Sequence, residues 1–159
     1  YQQALDQGHR SVYLLASYAD YLLNHNRPHE VLRLLQDETR ADPLLLRLAL
    51  AEQQVQHAQA RQHIDRIKTK NAAAKARGDS AHQGDAARFY LHVLNDPETA
   101  LKLALDNWLM QKEPRDARIL LDAAIVAKKP EAAIPVLKFL EQTRLEDARL
   151  QPLVKLAGG

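Results

Sequence analysis

Two histidines and a glutamate lie close together in a segment that reads NHNRPHEVLRLL, from Asn24 to Leu35. His29 and Glu30 match the first half of the H-E-x-x-H motif, in which two histidines on one helix bind zinc and the glutamate acts as a base. Arg33 stands where the second histidine would be required. The segment is therefore either a degenerate metal or acid/base cluster, or an Asn-Arg-Pro turn followed by a helix that starts with His-Glu.

The seven histidines of the chain are best interpreted as solvated turn residues, with adventitious metal binding as the alternative. They stand at positions 9, 25, 29, 57, 63, 82 and 92. His25 closes one predicted helix and His29 opens the next, so their four-residue spacing does not place them on one helix face. His57 and His63, six residues apart, make no better ligand pair.

Other signatures of catalysis are also missing from the sequence. The absence of cysteine excludes disulfides, thiolate nucleophiles and iron-sulfur clusters. The five glycines form neither a G-x-G-x-x-G loop nor a P-loop, and no serine occupies a nucleophile elbow. We therefore predict a protein that is not an enzyme, with no metal and no cofactor.

The composition predicts one all-α domain. The chain has 159 residues, of which 46% are hydrophobic and only 5% aromatic, so the core must consist mainly of Leu and Ala. Residues that favour helices dominate, and Gly is scarce. The net charge of +2 provides no general attraction to nucleic acid or to an anionic membrane. No apolar run approaches the ~18 residues of a membrane span, so we expect neither nucleic acid binding nor membrane insertion.

Prolines mark the helix starts. Five of them, at positions 28, 43, 97, 114 and 130, each follow a polar or charged residue and precede a new apolar periodicity, as expected for the first turn of a helix. The predicted helices span residues 11–24, 28–40, 44–56, 59–77, 80–94, 97–112, 114–128, 130–143 and 146–157. Pro135 is expected to bend the helix at 130–143 near its start. Trp108, Leu109 and Phe139, late in their helices, are expected in the core.

The turns repeat along the chain. NRPHEVLRLL, NDPETALKLAL and KKPEAAIPVLKFL align at Pro28, Pro97 and Pro130, with intervals of 69 and 33 residues. A fourth turn, without proline, is therefore expected near residues 57–60. A period of about 34 residues, each a helix-turn-helix, is typical of tetratricopeptide repeats. The corresponding core positions are Tyr18, Ala19, Leu22, Val31, Leu35, Ala87, Leu91, Ala100, Ala104, Leu120, Ala124, Ala133 and Leu137.

Beyond this general pattern, the stretches SVYLLASYADYLLNHNRPHEVLRLLQDETRADPLLLRLALA, AARFYLHVLNDPETALKLALDNWLMQKEPRDARILLDAA and VLKFLEQTRLEDARL resemble the carboxy-terminal part of a group of uncharacterised bacterial tetratricopeptide proteins. The resemblance implies a right-handed α-solenoid of antiparallel helix-turn-helix repeats. It places repeats at 11–43, 44–79, 80–113 and 114–145, after the tail of a preceding helix at 1–10 and before a capping helix and tail at 146–159. It also implies an exported or periplasmic protein, with a cytoplasmic one as the alternative.

In tetratricopeptide proteins the first helix of each repeat lines a concave groove that binds peptides. Transferring those positions by register identifies groove residues in three of the four repeats: Tyr13, Asp20, Asn24, Asp85, Phe89, His92, Arg118 and Asp122. A clamp for a terminal carboxylate is not expected, because Ala16 and Asp20 stand where the family needs Lys and Asn. The resemblance thus implies a scaffold that binds a peptide or protein partner in the groove. The alternative is a structural carboxy-terminal cap of a larger solenoid whose partner binds upstream.

The predicted helix at 59–77 is unusual in its charge. Residues 61–77 contain six Lys or Arg and one acid, Asp65, and Arg61, Lys68 and Lys75 recur every seven residues. A solvated outer face is the favoured interpretation, and a patch for nucleic acid or an acidic partner is the alternative. The apolar stripe of this helix is thin, consisting mainly of Ala60, Ile64, Ile67 and Ala74. We therefore expect the helix to be the least tightly held of the set.

Overall fold

The computed structural model describes all residues except 2, 4, 6, 80, 81, 146, 148, 149 and 159. The described part of the chain is all-helical and contains no strand, as the composition predicts. Its helices are α1 (Val12–Asn24), α2 (Pro28–Leu35), α3 (Asp42–Gln54), α4 (Ala60–Ala76), α5 (Gln83–His92), α6 (Pro97–Met110), α7 (Pro114–Val126), α8 (Ile134–Thr143) and α9 (Gln151–Gly158). A 3-10 turn, Pro130–Ala133, leads directly into α8.

The helices form two compact units. Unit 1 spans Tyr1–Arg77 and unit 2 spans Gly78–Gly159. In unit 1 each helix from α1 to α4 contacts the next, and α1 also contacts α3. In unit 2, α5, α6 and α7 contact one another in the same way, and α7 also contacts α9. Because the connections between successive helices are short, the contacting neighbours form helical hairpins.

The prolines stand where the sequence predicts them. Pro28, Pro97 and Pro114 are the first residues of their helices, Pro43 is the second residue of α3, and Pro130 opens the 3-10 turn. These positions have no intrahelical partner for a backbone N–H, so proline loses nothing there, and its fixed φ favours helix initiation. The predicted punctuation of the chain is confirmed.

Three of the turns between hairpin helices share one geometry, including the turn that lacks proline, whereas after Asn95 the Asp96 N–H donates to the Tyr90 carbonyl, six residues earlier. Asn26, Gln56 and Lys128 have φ values of 56°, 55° and 58°. In each case the next backbone N–H donates to the carbonyl five residues earlier: Arg27 to Leu22, His57 to Glu52, and Lys129 to Ala124, at 2.8 to 2.9 Å. This is the Schellman closure of a helix by a left-handed residue. The expected turn near 57–60 is thus present between α3 and α4.

The predicted core positions are buried in their own units. In unit 1 they form a cluster with Leu15, Leu44, Leu48 and Ala51. In unit 2 they join a cluster that includes Leu101, Ala117 and Leu121. Tyr18 and Leu137 are the exceptions, since both are only partly buried and pack against these clusters. Small residues at the helix contacts, such as Ala19, Ala100 and Ala104, let the backbones approach closely.

Besides the start of α8, three helix boundaries differ from the prediction by more than two residues. α2 ends at Leu35 instead of residue 40, because the following residues are mostly polar and a longer helix would bury nothing more. α5 begins at Gln83 and α9 at Gln151, whereas the predicted starts at residues 80 and 146 lie outside the described residues. Pro152 is the second residue of α9, so the proline rule that succeeds elsewhere would have located this start better.

Pro135 divides the predicted helix at 130–143. The chain forms a 3-10 turn over Pro130–Ala133, and the α-helix starts at Ile134 with Pro135 in its first turn. Proline cannot donate to the carbonyl of Glu131, so a continuous α-helix through this point would lose a hydrogen bond. The expected irregularity is therefore a change of helix type rather than a bend.

The expectation for the late helix positions is correct for Trp108 and wrong for Leu109, while Phe139 is partly buried and packs against the core of unit 2. Trp108 is 4% exposed and meets the Phe139 ring edge-on, with centroids 5.3 Å apart. Leu109 is 79% exposed. Adjacent residues on an α-helix point about 100° apart, so Trp108 and Leu109 cannot both face the same core.

The thin apolar stripe of α4 has a measurable consequence. Only His63 and Ile67 of this helix are buried, whereas α3 is buried continuously from Leu44 to Glu52. Amide hydrogens in the second half of α4 are therefore expected to exchange at least ~10-fold faster than those of α3, because local opening exposes little apolar surface. Hydrogen-exchange mass spectrometry measures this difference. Equal protection of the two helices would contradict it.

Candidate functional site

Polar residues of two contacting helices of unit 2 come together on one surface. On α5, spacings of three and four residues place Asp85, Arg88 and His92 on the same side of the helix. On α7, which contacts α5, the Arg118 Nε atom lies 3.6 Å from Oδ2 of Asp122. We call these five residues the α5–α7 polar face. Four of them are predicted groove residues, and Arg88 is new.

Electrostatic coupling between the helices places Arg88, His92, Arg118 and Asp122 in one environment. The pKa of His92 is lowered to about 4, first by desolvation and then by the positive charges of Arg88 on α5 and Arg118 on α7. His92 is an exposed residue at the end of α5, and neighbouring protein atoms replace part of the hydration of its ring. His92 is therefore neutral at pH 7, and its imidazole offers one donor and one acceptor.

Asp122 experiences the opposite balance. Desolvation raises the pKa of its carboxyl group, while Arg118 and Arg88 oppose this rise. Its side chain is 20% exposed, compared with 38% for Arg118. The carboxylate is therefore the inner member of the pair, and the guanidinium is the more accessible one. A surface that combines guanidinium donors, a neutral imidazole and a carboxylate can form directed hydrogen bonds with a polar ligand.

The titration of His92 provides a direct check of this geometry. We expect a histidine with a midpoint at about pH 4 in NMR, compared with its ordinary value of 6.5. In Arg118→Gln the midpoint should move toward 6.5, because one repelling charge is removed. Between pH 6.5 and 4 the unfolded chain takes up a proton at this position and the folded chain does not, so His92 makes folding less favourable as the pH falls. His92→Gln should lack this contribution to the pH dependence of the free energy of unfolding. A His92 midpoint near 6.5 in the unmodified protein would contradict the structure.

The predicted groove residues of unit 1 lie together on α1. Tyr13 is 73% exposed and contributes an accessible ring on α1. Asn24 is the last residue of α1 and is also exposed. Asp20 shares this side of α1, since 13, 20 and 24 are seven and four residues apart. Asp20, however, already has a structural partner.

Asp20 binds a buried arginine of α3. Arg47, which is 3% exposed, donates from Nε to Asp20 Oδ1 at 3.1 Å and from Nη2 to Asp20 Oδ2 at 2.9 Å. Its Nη1 donates to the Pro43 carbonyl at 3.0 Å. This bidentate pair connects α1 to α3 and compensates a buried charge. Asp20 therefore positions helices of unit 1, and this role accounts for its presence without a ligand.

Phe89 does not fit its predicted role as a groove residue. Its side chain is 1% exposed and meets the ring of Tyr90 edge-on, with centroids 6.1 Å apart. The buried residues of α5 are Ala87, Phe89 and Leu91, which point to more than one side of the helix. A single buried stripe therefore does not describe α5. Phe89 belongs to the interior, and a partner cannot contact it in this state.

Three of the five histidines of unit 1 make local contacts in the described structure. His63 Nδ1 lies 2.8 Å from Glu52 Oε2, and both residues are buried. His57 Nδ1 lies 3.7 Å from the other oxygen of the same carboxylate. His25 Nδ1 is 2.8 Å from the Tyr21 carbonyl at the end of α1. Within the described residues, no group of three His, Cys, Asp or Glu residues has an arrangement that could hold a metal ion.

A second buried network holds the start of α5 against α6 and α7. Asn107 accepts a hydrogen bond from the Gly84 N–H at 3.1 Å and donates to Asp116 Oδ1 at 2.9 Å. Asp116 also accepts from the Glu113 N–H at 3.0 Å, which caps α7. A Cβ atom at position 84 would lie 3.2 Å from Asn107 Nδ2, so glycine permits this close approach. The network fixes the relative placement of the two helices that carry the polar face.

Comparison with known proteins identifies no relative. Family models, curated proteins and solved structures give no match to this chain. Among the described helices, none combines the length and apolar character needed to span a bilayer.

Proposed function

We propose that this protein is a non-catalytic scaffold that binds a peptide or protein partner on the α5–α7 polar face. The proposal includes the repeat architecture expected from the sequence, a tetratricopeptide-like solenoid whose first helices carry the ligand surface. In this scheme α5 and α7 are the first helices of the third and fourth repeats.

Features of each unit support the repeat architecture. Helices two apart in sequence contact each other, α1 with α3 and α5 with α7, as stacked hairpins require. The Schellman closures at Asn26, Gln56 and Lys128 recur at corresponding points of three of the four predicted repeats. The small and large residues that define the repeat register are buried, or partly buried in the case of Tyr18 and Leu137.

One observation carries the functional part of the proposal. The repeat register predicts three groove residues here: His92 on α5, and Arg118 and Asp122 on α7, which follow His92 by 26 and 30 residues. The three side chains fall within one electrostatic environment. Their helices are rigidly placed by the Asn107–Asp116 network, so little ordering cost accompanies binding. A pre-organised polar surface of this kind suits an extended or helical peptide with hydrogen-bonding side chains.

Paired variants test the proposal. We expect Arg88→Gln/Arg118→Gln to weaken partner capture by the full chain about tenfold or more, since two directed charged contacts are lost at about 1 kcal/mol each. Lys102→Gln/Lys138→Gln is the matched control. It removes the same charge from exposed positions of α6 and α8. Capture can be quantified by affinity purification and mass spectrometry, followed by titration of the identified partner.

The control variant should retain wild-type affinity and unfold at the wild-type urea concentration. Arg88→Gln/Arg118→Gln removes both cations that oppose the desolvation of Asp122, so its binding is compared after circular dichroism shows that it is folded. A partner that binds the Arg88→Gln/Arg118→Gln protein as tightly as the unmodified protein would contradict the proposal. That result would favour the alternative in which this chain is a structural cap and the partner binds elsewhere.

A further inference from the structure

α4 carries a charge imbalance that the proposed function does not use. Residues 61–77 have six Lys or Arg and one acid, a net charge of +5. The whole chain carries only +2, so the remaining residues together carry −3. The positive charge of the protein is therefore concentrated on a single helix of unit 1.

The cations of α4 form two rows along the helix. At 100° per residue, a seven-residue interval returns to almost the same side, so Arg61, Lys68 and Lys75 form one row. Arg66, Lys70 and Arg77 form the other. The inner side between the rows holds the buried residues His63 and Ile67. The opposite, outer side between the rows is a strip of exposed residues whose last part contains only alanines. The strip consists of Gln62, Asp65, Thr69, Ala72, Ala73 and Ala76.

Contacts within unit 1 offset only part of this charge. Lys70 pairs with Asp42 at the start of α3. Lys68 Nζ lies 3.7 Å from Asp65 Oδ1, with side chains that are 50% and 61% exposed, so solvent screens this pair strongly. One intrahelical acid cannot balance five other cations. We call Arg61, Arg66, Lys68, Lys75 and Arg77, together with the strip of Ala72, Ala73 and Ala76 between them, the α4 outer face.

We propose that the α4 outer face docks an acidic helical segment of a partner protein. Successive cations of one row are about 10.5 Å apart along the axis, the same rise that separates carboxylates seven residues apart on a helix. The alanine strip lets a second helix approach closely, and the flanking cations then meet acidic residues on both sides of the contact, as charged edge positions do in coiled coils. Charge complementarity therefore selects an acidic helix.

Nucleic acid is the competing polyanion, and the composition of α4 argues against it. α4 has no aromatic residue on which bases could stack. The α4 outer face shares no residue with the α5–α7 polar face, so the two proposals are tested separately.

The binding test uses the full chain and a defined probe. The probe is a labelled synthetic helix of about 20 residues with Glu in two rows at seven-residue intervals beside an Ala strip. Controls are a peptide of the same composition in scrambled order and a single-stranded oligonucleotide of equal charge. At low salt, fluorescence anisotropy should show the ordered helix binding about tenfold more tightly than the scrambled peptide, and added salt should weaken it. Tighter binding of the oligonucleotide, or equal binding of the two peptides, would overturn the proposal.

Two variants locate the contact. Arg61→Gln/Lys68→Gln/Lys75→Gln should reduce affinity for the ordered helix about tenfold, as expected for three exposed ion pairs. Lys102→Gln/Lys112→Gln/Lys138→Gln removes the same charge from exposed positions of unit 2 and should change the affinity less than about twofold. Ala73→Trp keeps every charge but obstructs the strip, so it should weaken the ordered helix and not the scrambled peptide. Equal loss in the two triple variants, or no effect of Ala73→Trp, would count against helix docking.

Discussion

Phe89→Ala should lower the free energy of unfolding by about 3–5 kcal/mol, the largest effect expected of a single substitution in this chain. Phe89 is 1% exposed, so truncation removes a whole buried ring and leaves a cavity beside α5. The edge-to-face contact with Tyr90 is lost as well. Urea denaturation followed by circular dichroism measures the change.

Leu109→Ala is the matched control for this prediction. It also truncates a large apolar side chain, but one that is 79% exposed, and should change the free energy of unfolding by no more than about 0.5 kcal/mol. A loss below about 1 kcal/mol for Phe89→Ala would mean that the ring is accessible in solution. In that case its prediction as a groove residue would stand. If the ring is buried, any loss of partner binding by Phe89→Ala results from unfolding of the protein.

Asp20→Asn should destabilise the protein by about 2–3 kcal/mol. The substitution preserves the shape of the side chain and one acceptor, but it removes the negative charge that compensates Arg47 inside unit 1. The Asp20 side chain is 26% exposed, so water offsets part of the cost of leaving Arg47 without a counter-charge. The expected loss is therefore below that of a fully buried pair.

Glu30→Gln is the control for Asp20→Asn. Glu30 also accepts two hydrogen bonds from one arginine, Arg27, but both partners are exposed at the start of α2. This change should cost less than about 1 kcal/mol, as for other exposed ion pairs. Equal effects of the two variants in urea denaturation would contradict a structural role for Asp20. Its prediction as a partner contact would then regain support.

The sequence predicts the backbone plan well because its signals are local. Proline fixes φ and removes a donor, so Pro28, Pro97 and Pro114 locate helix starts without knowledge of the tertiary structure. The alternation of small and large residues within each hairpin likewise identifies core positions such as Ala19 and Leu120. The turn at Gln56 could be located despite its missing proline because the repeat period fixes its place.

The candidate site is less predictable because it depends on which residues of separate helices meet. The pairing of Arg47 with Asp20 joins residues 27 apart, and the only sequence signal is a charge within the apolar run LLLRLALA. Glu52 likewise gives no local sign that it will accept from His63. Arg88 could have been found, since it stands three residues after Asp85 and four before His92 on one helix face. The burial of Phe89 could not have been predicted from the sequence, because α5 is covered on more than one side.

The central claim is that a partner binds on the α5–α7 polar face, and site-directed photocrosslinking tests it most directly. A photoreactive residue is introduced separately at position 92, in place of His92, and at position 138, in place of the exposed Lys138 on α8. The full chain is then irradiated with the partner identified by affinity purification. The proposal predicts crosslinks to one region of the partner from position 92 and none from position 138. Crosslinks to the same region from position 138 but not from position 92 would contradict it.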